Sequence, residues 1–223
     1  MKTFVLLLSA ALSVFAAEEQ EKHSMARDAT PMILENDIAH LAAMGEEVGV
    51  VKEMTWSGQM HSAKDNHTYI GTIEQIAAVM EALGLNPLEE EDGFSMAPGT
   101  ELKKRDVTSV ECFHGQPTGI RIIREGIKYL NGRRKGGGYC FAPAKKRGRP
   151  GCSRVSCSNG GGIFLCNKTD DDYFNVPCKD IAHAAEALIE DCWVPDGLGS
   201  KVYVRGKANL SKDAYVLVTK TDC

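Results

Sequence analysis

Apolar positions form several distinct patterns along the chain. Behind Lys2 they run almost unbroken through residues 4–12 and end in Val14-Phe15-Ala16, the small-residue pattern that signal peptidase reads. The run is shorter than the roughly 20 apolar residues of a membrane span. It predicts a signal peptide over residues 1–16 and a secreted, extracellular protein. Further on, residues 37–44 and 72–83 carry helical periodicity. In the second of these Thr72 and Gln75 fit a capping box, Ile73, Ile76, Ala77, Met80 and Leu83 form one stripe, and Gly84 ends it. Residues 48–56 between them predict a strand.

The second half changes pattern more often. Residues 107–112 alternate as a strand does. Pro117 is placed to open a helix with an Ile120, Ile123, Ile127 and Leu130 stripe, which Asn131-Gly132 closes. A Gly- and Pro-rich loop spans 132–151. Residues 153–158 and 162–167 then predict two strands joined through Asn159-Gly160-Gly161, a hairpin signal. A helix over 177–192 turns Ile181, Ala184, Ala185, Leu188 and Cys192 inward, and strands follow at 201–205 and 214–220. The order strand, helix, strand, strand, helix, strand predicts an α+β two-layer sandwich: an antiparallel sheet with two helices on one face, the ferredoxin-like split βαβ. The 201–205 strand is an extra arm in this scheme.

Cysteine usage divides the chain. All eight, Cys112, Cys140, Cys152, Cys157, Cys166, Cys178, Cys192 and Cys223, lie in the second half. An even number in a short secreted domain reads as four disulfides, with on the order of a hundred pairings left open. A zinc site would want C-x-x-C units or histidines at ligand spacing, which are missing, so no metal and no cofactor is expected. Charge divides the chain at the same place. Residues 17–105 hold 17 Asp/Glu and 7 Lys/Arg, a net of −10, whereas residues 106–223 hold 13 and 18, a net of +5. Opposite charge suggests either that the halves mask each other or that the acidic segment is simply a soluble, disposable one.

Between them lies Lys103-Lys104-Arg105-Asp106, after the turn-forming Ala97-Pro98-Gly99. Lys104-Arg105 resembles the site of a kexin-type secretory protease. The expected organisation is a signal peptide at 1–16, an acidic pro-segment at 17–105 and a mature disulfide-stapled domain at 106–223, with the pro-segment acting on the mature part as an intramolecular chaperone.

Cys152-Ser153-Arg154-Val155-Ser156-Cys157-Ser158, the apolar strand ending in Cys166-Asn167, the helix ending in Cys192 and the closing valine-rich strand together resemble a large group of small secreted fungal proteins. Disulfides, element order and maturation are similar to fungal killer toxins and the plant-pathogen effectors sharing their sandwich. The resemblance implies a protein that acts outside the producing cell, on competing microbes or on a host.

Candidate chemistry concentrates in the basic loop, where Arg133, Arg134 and Lys135 precede Lys145, Lys146, Arg147 and Arg149. Three readings compete. Arg147-Gly148-Arg149-Pro150 resembles an AT-hook core, which inserts extended into a minor groove, although a secreted oxidised domain argues against nucleic acid as the partner. Arg133-Arg134 and Lys146-Arg147 are further dibasic pairs for processing. The favoured reading is a solvated cationic surface for an extracellular target, of the kind an anionic membrane, a cell-wall polymer or an acidic host protein presents. Tyr139, Phe141, Trp193 and Tyr203 are candidates for an aromatic recognition set.

No nucleophile elbow, phosphate loop or metal box appears, and no catalytic residue is assigned. His114, His183, Glu125 and Arg121 supply the parts of the alternative, a secreted ribonuclease or ribotoxin-like enzyme. A cell-wall structural protein is the other alternative. Asn66, Asn167 and Asn209 head glycosylation sequons. Asp170-Asp171-Asp172 lacks the spacing of a calcium loop and reads as a solvated turn.

Overall fold

The strand Gly161–Asn167 has every residue buried, which requires cover on both faces of its sheet. The computed structural model describes residues 32–43, 45–59, 66–83, 107–131, 138–172, 174–211 and 213–223. Among these are four helices: α1 (Glu35–Ala43), α2 (Ile73–Ala82), α3 (Ile120–Asn131) and α4 (Cys178–Asp191). The strands in the acidic half are β1 (Val50–Glu53), β2 (Thr55–Gln59) and β3 (Asn66–Ile70). Those in the cysteine-rich half are β4 (Ser109–Cys112), β5 (Thr118–Gly119), β6 (Tyr139–Phe141), β7 (Gly151–Ser158), β8 (Gly161–Asn167), β9 (Asn175–Pro177), β10 (Trp193–Pro195), β11 (Lys201–Val204), β12 (Gly206–Ser211) and β13 (Ala214–Lys220). The fold is α+β and disulfide-rich. Its helices are all too short or too polar to cross a membrane among the described residues.

The main sheet has six strands in the order β1-β7-β8-β13-β12-β4. Its centre forms as the local signals predict. Asn159 and Gly160 take φ of +46° and +79°, the primed two-residue turn whose twist matches the strands it joins. Alternation then sorts the side chains. Ile163, Leu165, Val216 and Val218 share a core with Ile123 and Ile127 of α3, Ile181 and Leu188 of α4, and Ile73, Ile76 and Met80 of α2. Phe164, Cys166, Tyr215 and Leu217 point the other way and pack with Leu41, Val48 and Val51. The capping box is present, with Thr72 N donating to Gln75 Oε1 (2.8 Å) and Gln75 N to Thr72 Oγ1 (3.5 Å).

The architecture departs from the expected sandwich in three respects. β4 sits at an edge beside β12, with Ala208 opposite Val110, because residues 206–211 form a full strand that takes the place next to β13. Gly206, at φ +153°, makes the corner between β11 and β12, where an added Cβ would lie 2.7 Å from the Glu111 carbonyl. The arm expected at 201–205 belongs instead to a separate three-stranded sheet, β10-β11-β5. Pairing of Thr118 and Gly119 with Val204 and Tyr203 in that sheet delays the start of α3 beyond Pro117.

The third departure bears on the division of the chain. Residues before the dibasic site complete both sides of the sheet. β1 joins its edge parallel to β7, α1 and residues 46–48 cover the second face, and β2 joins β3, β6 and β9 in a four-stranded sheet. Met54, Trp56 and Tyr69 are buried in the main core. An added methyl at Gly138 would overlap the Trp56 indole, so the end of the Gly-rich run is a seat for a side chain from the acidic half.

Four disulfides account for all eight cysteines: Cys112–Cys192, Cys140–Cys178, Cys152–Cys166 and Cys157–Cys223. The signal peptide, Lys104 and Arg105, and Arg133, Arg134 and Lys135 lie outside the described residues.

Candidate functional site

Where the acidic half meets the cationic half, two carboxylates are buried, and each finds its partners across the chain. Asp37 projects from α1 and is 3% exposed. Its Oδ1 accepts from Thr221 Oγ1 at 3.0 Å, and its Oδ2 lies 3.1 Å from Arg154 Nη1. Arg154, the arginine of the C-x-R-V-S-C-S segment, also donates to the Asp222 carbonyl at 3.2 Å. A β-bulge at Val155 shifts the β7–β8 register, pairing Arg154 with Phe164 on the α1 side. One turn along α1, the His40 ring donates to the Lys220 carbonyl (2.9 Å). A cleft lined by Ile33, Leu34, Asp37, Arg154, Asp222 and Cys223 opens along this seam.

The second seat holds Glu46, 2% exposed, in the loop between α1 and β1. Its Oε2 lies 2.7 Å from Lys207 Nζ and its Oε1 2.9 Å from His114 Nδ1. The other His114 nitrogen faces Glu111 Oε2 at 3.3 Å. Beneath them Lys207 and Lys168 stand over the Tyr215 ring, 5.3 and 5.7 Å from its centre. Burial, followed by the Glu46 charge, holds the Tyr215 phenol above its usual range.

Burial acts the same way on Asp37. Its pKa is raised above the ordinary 3.8, chiefly by desolvation, against the lowering pull of Arg154, Thr221 and His40. A carboxyl raised in the fold contributes stability that is fully present below 3.8 and is lost as pH rises through the raised value. The stability of the wild type relative to Asp37→Asn should therefore increase as pH falls from 7 towards 4, measured by urea denaturation at each pH.

Residues 145–150 of the basic loop form a tight hairpin. Lys146 and Arg149 exchange backbone hydrogen bonds of 2.8 and 3.1 Å. Arg147 and Gly148 between them take φ of +55° and +75°, a primed turn that leaves Lys146, Arg147 and Arg149 exposed at the tip. This corrects the AT-hook resemblance, since Arg147-Gly148-Arg149 is folded back and not extended. Lys145 is held at the base by Asp170 (2.9 Å), which gives the acidic run at 170–172 an ion-pairing role. Pro150 accepts a hydrogen bond from Gly49 N at 2.7 Å, so this hairpin too rests on the acidic half.

The remaining candidates are scattered. Arg121 and Glu125 pair with each other along the outside of α3 (3.5 Å), and His183 lies on α4, whereas His114 is engaged by Glu46 and Glu111. Tyr139 and Phe141 lie on β6 while Trp193 and Tyr203 lie on another sheet, so the four aromatics do not form one set. Asn167 has no exposed surface, and the amide nitrogen that would carry a glycan donates to the Pro143 and Asp171 carbonyls. That removes Asn167 as a glycosylation site in the folded protein. Asn209 Nδ2 donates to Ser109 Oγ and Glu111 Oε1; Asn66 opens β3.

Sequence reasoning overlooked Asp37, Glu46 and Lys207, and read Arg154 only as part of a motif. The available signal was a charge on a segment otherwise destined for burial: Asp37 beside Ile38 and Leu41, and Arg154 within a strand. Phe113 was also missed. It is 73% exposed at φ +70°, with the Arg205 guanidinium 5.3 Å from its ring centre. Comparison of the chain with protein-family models, with curated proteins and with solved structures finds no match.

Proposed function

We propose that the protein is a secreted effector of the killer-toxin-like kind, cut after Arg105, that binds a target outside the producing cell through its basic hairpin. The observation that carries this reading is the hairpin itself: Lys146, Arg147 and Arg149 exposed on a hydrogen-bonded turn whose strand continues into the disulfide at Cys152. Lys145, Arg133, Arg134 and Lys135 extend the same cationic stretch of sequence. Four disulfides suit an oxidising extracellular medium. A fixed cationic turn attracts an anionic surface at long range, and salt weakens that attraction.

The test uses protein recovered from culture medium, both wild type and a Lys146→Glu, Arg147→Glu, Arg149→Glu variant. Each is applied to anionic vesicles, to cell-wall polymer and to sensitive microbial or host cells. Wild type should bind at low salt, lose most of its binding by about 0.5 M salt, where the screening length approaches a few ångströms, and harm the cells. The variant should do neither. Equal binding by the variant would overturn the reading. Hydrolysis of RNA that disappears in His114→Ala would replace it with the enzyme reading, and tight wall association without toxicity with the structural one.

A further inference from the structure

The proposed cleavage after Arg105 raises the question of what becomes of the acidic half, and the inference here rests on that cleavage. Residues 1–105 contain no cysteine, so the cut would leave no covalent tie between the two chains. Non-covalent ties are extensive. β1 pairs with β7 from Val50 opposite Gly151 to Glu53 opposite Arg154, and β2 pairs with β6, Trp56 opposite Cys140. Glu74 of α2 accepts from the Ser156 hydroxyl and, at 3.3 Å, from the Cys157 amide. Asp37 and Glu46 occupy the two seats described above.

Separation would reverse all of this together. It would bare Phe164 and Leu217, now without exposed surface, open the edge of β7, and remove from Arg154 and Lys207 the carboxylates they face. We infer that the working protein is a two-chain assembly, in which residues 32–83 remain seated on the β7 edge and on the face of the main sheet that carries Phe164, Leu217, Arg154 and Lys207. Its occupant is the excised segment itself, because strand register, opposite net charge and two buried ion pairs already match that segment to the surface. Cleavage creates two free ends without exposing the sheet. Target binding then falls to surfaces that stay open in the assembly, the basic hairpin among them.

Two masses of the protein recovered from the medium of a host with a kexin-type protease decide the matter. Under denaturing, non-reducing conditions two chains should appear, the heavier of them beginning at Asp106; under native conditions their summed mass should appear and persist on dilution. A native mass equal to the C-terminal chain alone would overturn the inference. A single uncut chain under denaturing conditions would instead remove the cleavage. Retention is then decided on a variant in which Lys103-Lys104-Arg105 is replaced by the sequence of a site-specific protease, folded first and cut in vitro. Co-elution of the two chains on size exclusion supports the assembly, and separation overturns it. In the same format Asp37→Asn with Glu46→Gln should speed dissociation by about a thousandfold or more, since losing one partner of a single buried ion pair already costs upwards of a hundredfold. An unchanged rate would overturn the assignment of this surface as the seat.

Discussion

Residues 107–223, expressed behind a signal peptide without the acidic half, should emerge as dye-binding material with mixed disulfides. The cause is the shared core. Met54, Trp56, Tyr69, Ile73, Ile76 and Met80 all lie in the main cluster with at most 7% exposure. Burying such a side chain is worth about 1.5–3 kcal/mol, so losing six of them removes on the order of 10 kcal/mol from a domain whose whole stability is about 5–15 kcal/mol. The second face loses its cover as well, since Leu41, Val48 and Val51 close over Phe164 and Leu217. Near-ultraviolet circular dichroism, binding of an apolar dye and disulfide mapping by mass would check this. Native spectra with one pairing pattern would show that the cysteine-rich half folds unaided. Residues 32–83 supplied as a separate chain during refolding should restore the native signal.

Removing the Cys112–Cys192 crosslink should cost about 4 kcal/mol or slightly more, the largest effect among the four. It closes a loop of 80 residues, Cys157–Cys223 one of 66, Cys140–Cys178 one of 38 and Cys152–Cys166 one of 14. If crosslinks act by restricting the unfolded chain, the loss grows with the logarithm of loop length and falls to about 3 kcal/mol for the shortest loop. Cys152 and Cys166 also lie directly opposite each other on paired strands, where the ladder already fixes their separation. Urea midpoints of the double serine variants should follow this order. An inverted order, with Cys152→Ser, Cys166→Ser the most damaging, would mean that packing beneath α1 outweighs chain entropy.

Local chemistry was legible in the sequence, and long-range pairing was not. Asn159-Gly160 dictates a primed turn by backbone conformation alone, and the Thr72 box needs only four residues, so both are read without knowing their surroundings. Position in a sheet depends on partners far along the chain. β8 carries no polar alternation to say which face is inward, because both are. β12 does alternate, with Ala208 and Leu210 facing the main core and Lys207 and Asn209 the opposite face, but it follows β11 after a single residue and merges with it on inspection. The candidate site divides in the same way. The cationic hairpin is a run of charges visible in any window, whereas the pairs Asp37–Arg154 and Glu46–Lys207 join residues more than a hundred positions apart.

The parallel β1–β7 contact sets a timetable for biosynthesis. Val50 leaves the ribosome about a hundred residues ahead of its partner Gly151, so the first half waits with its strand edge and helix faces unsatisfied. While the chain is continuous, the encounter between them is a loop closure whose entropy grows only slowly with length. A protease reaching Arg105 beforehand would turn that closure into a meeting of two separate molecules, dependent on concentration and open to aggregation. If the chain is cut as proposed, folding and oxidation have to precede the cut. The proposed processing enzyme would then act downstream, on a chain whose strands have already met.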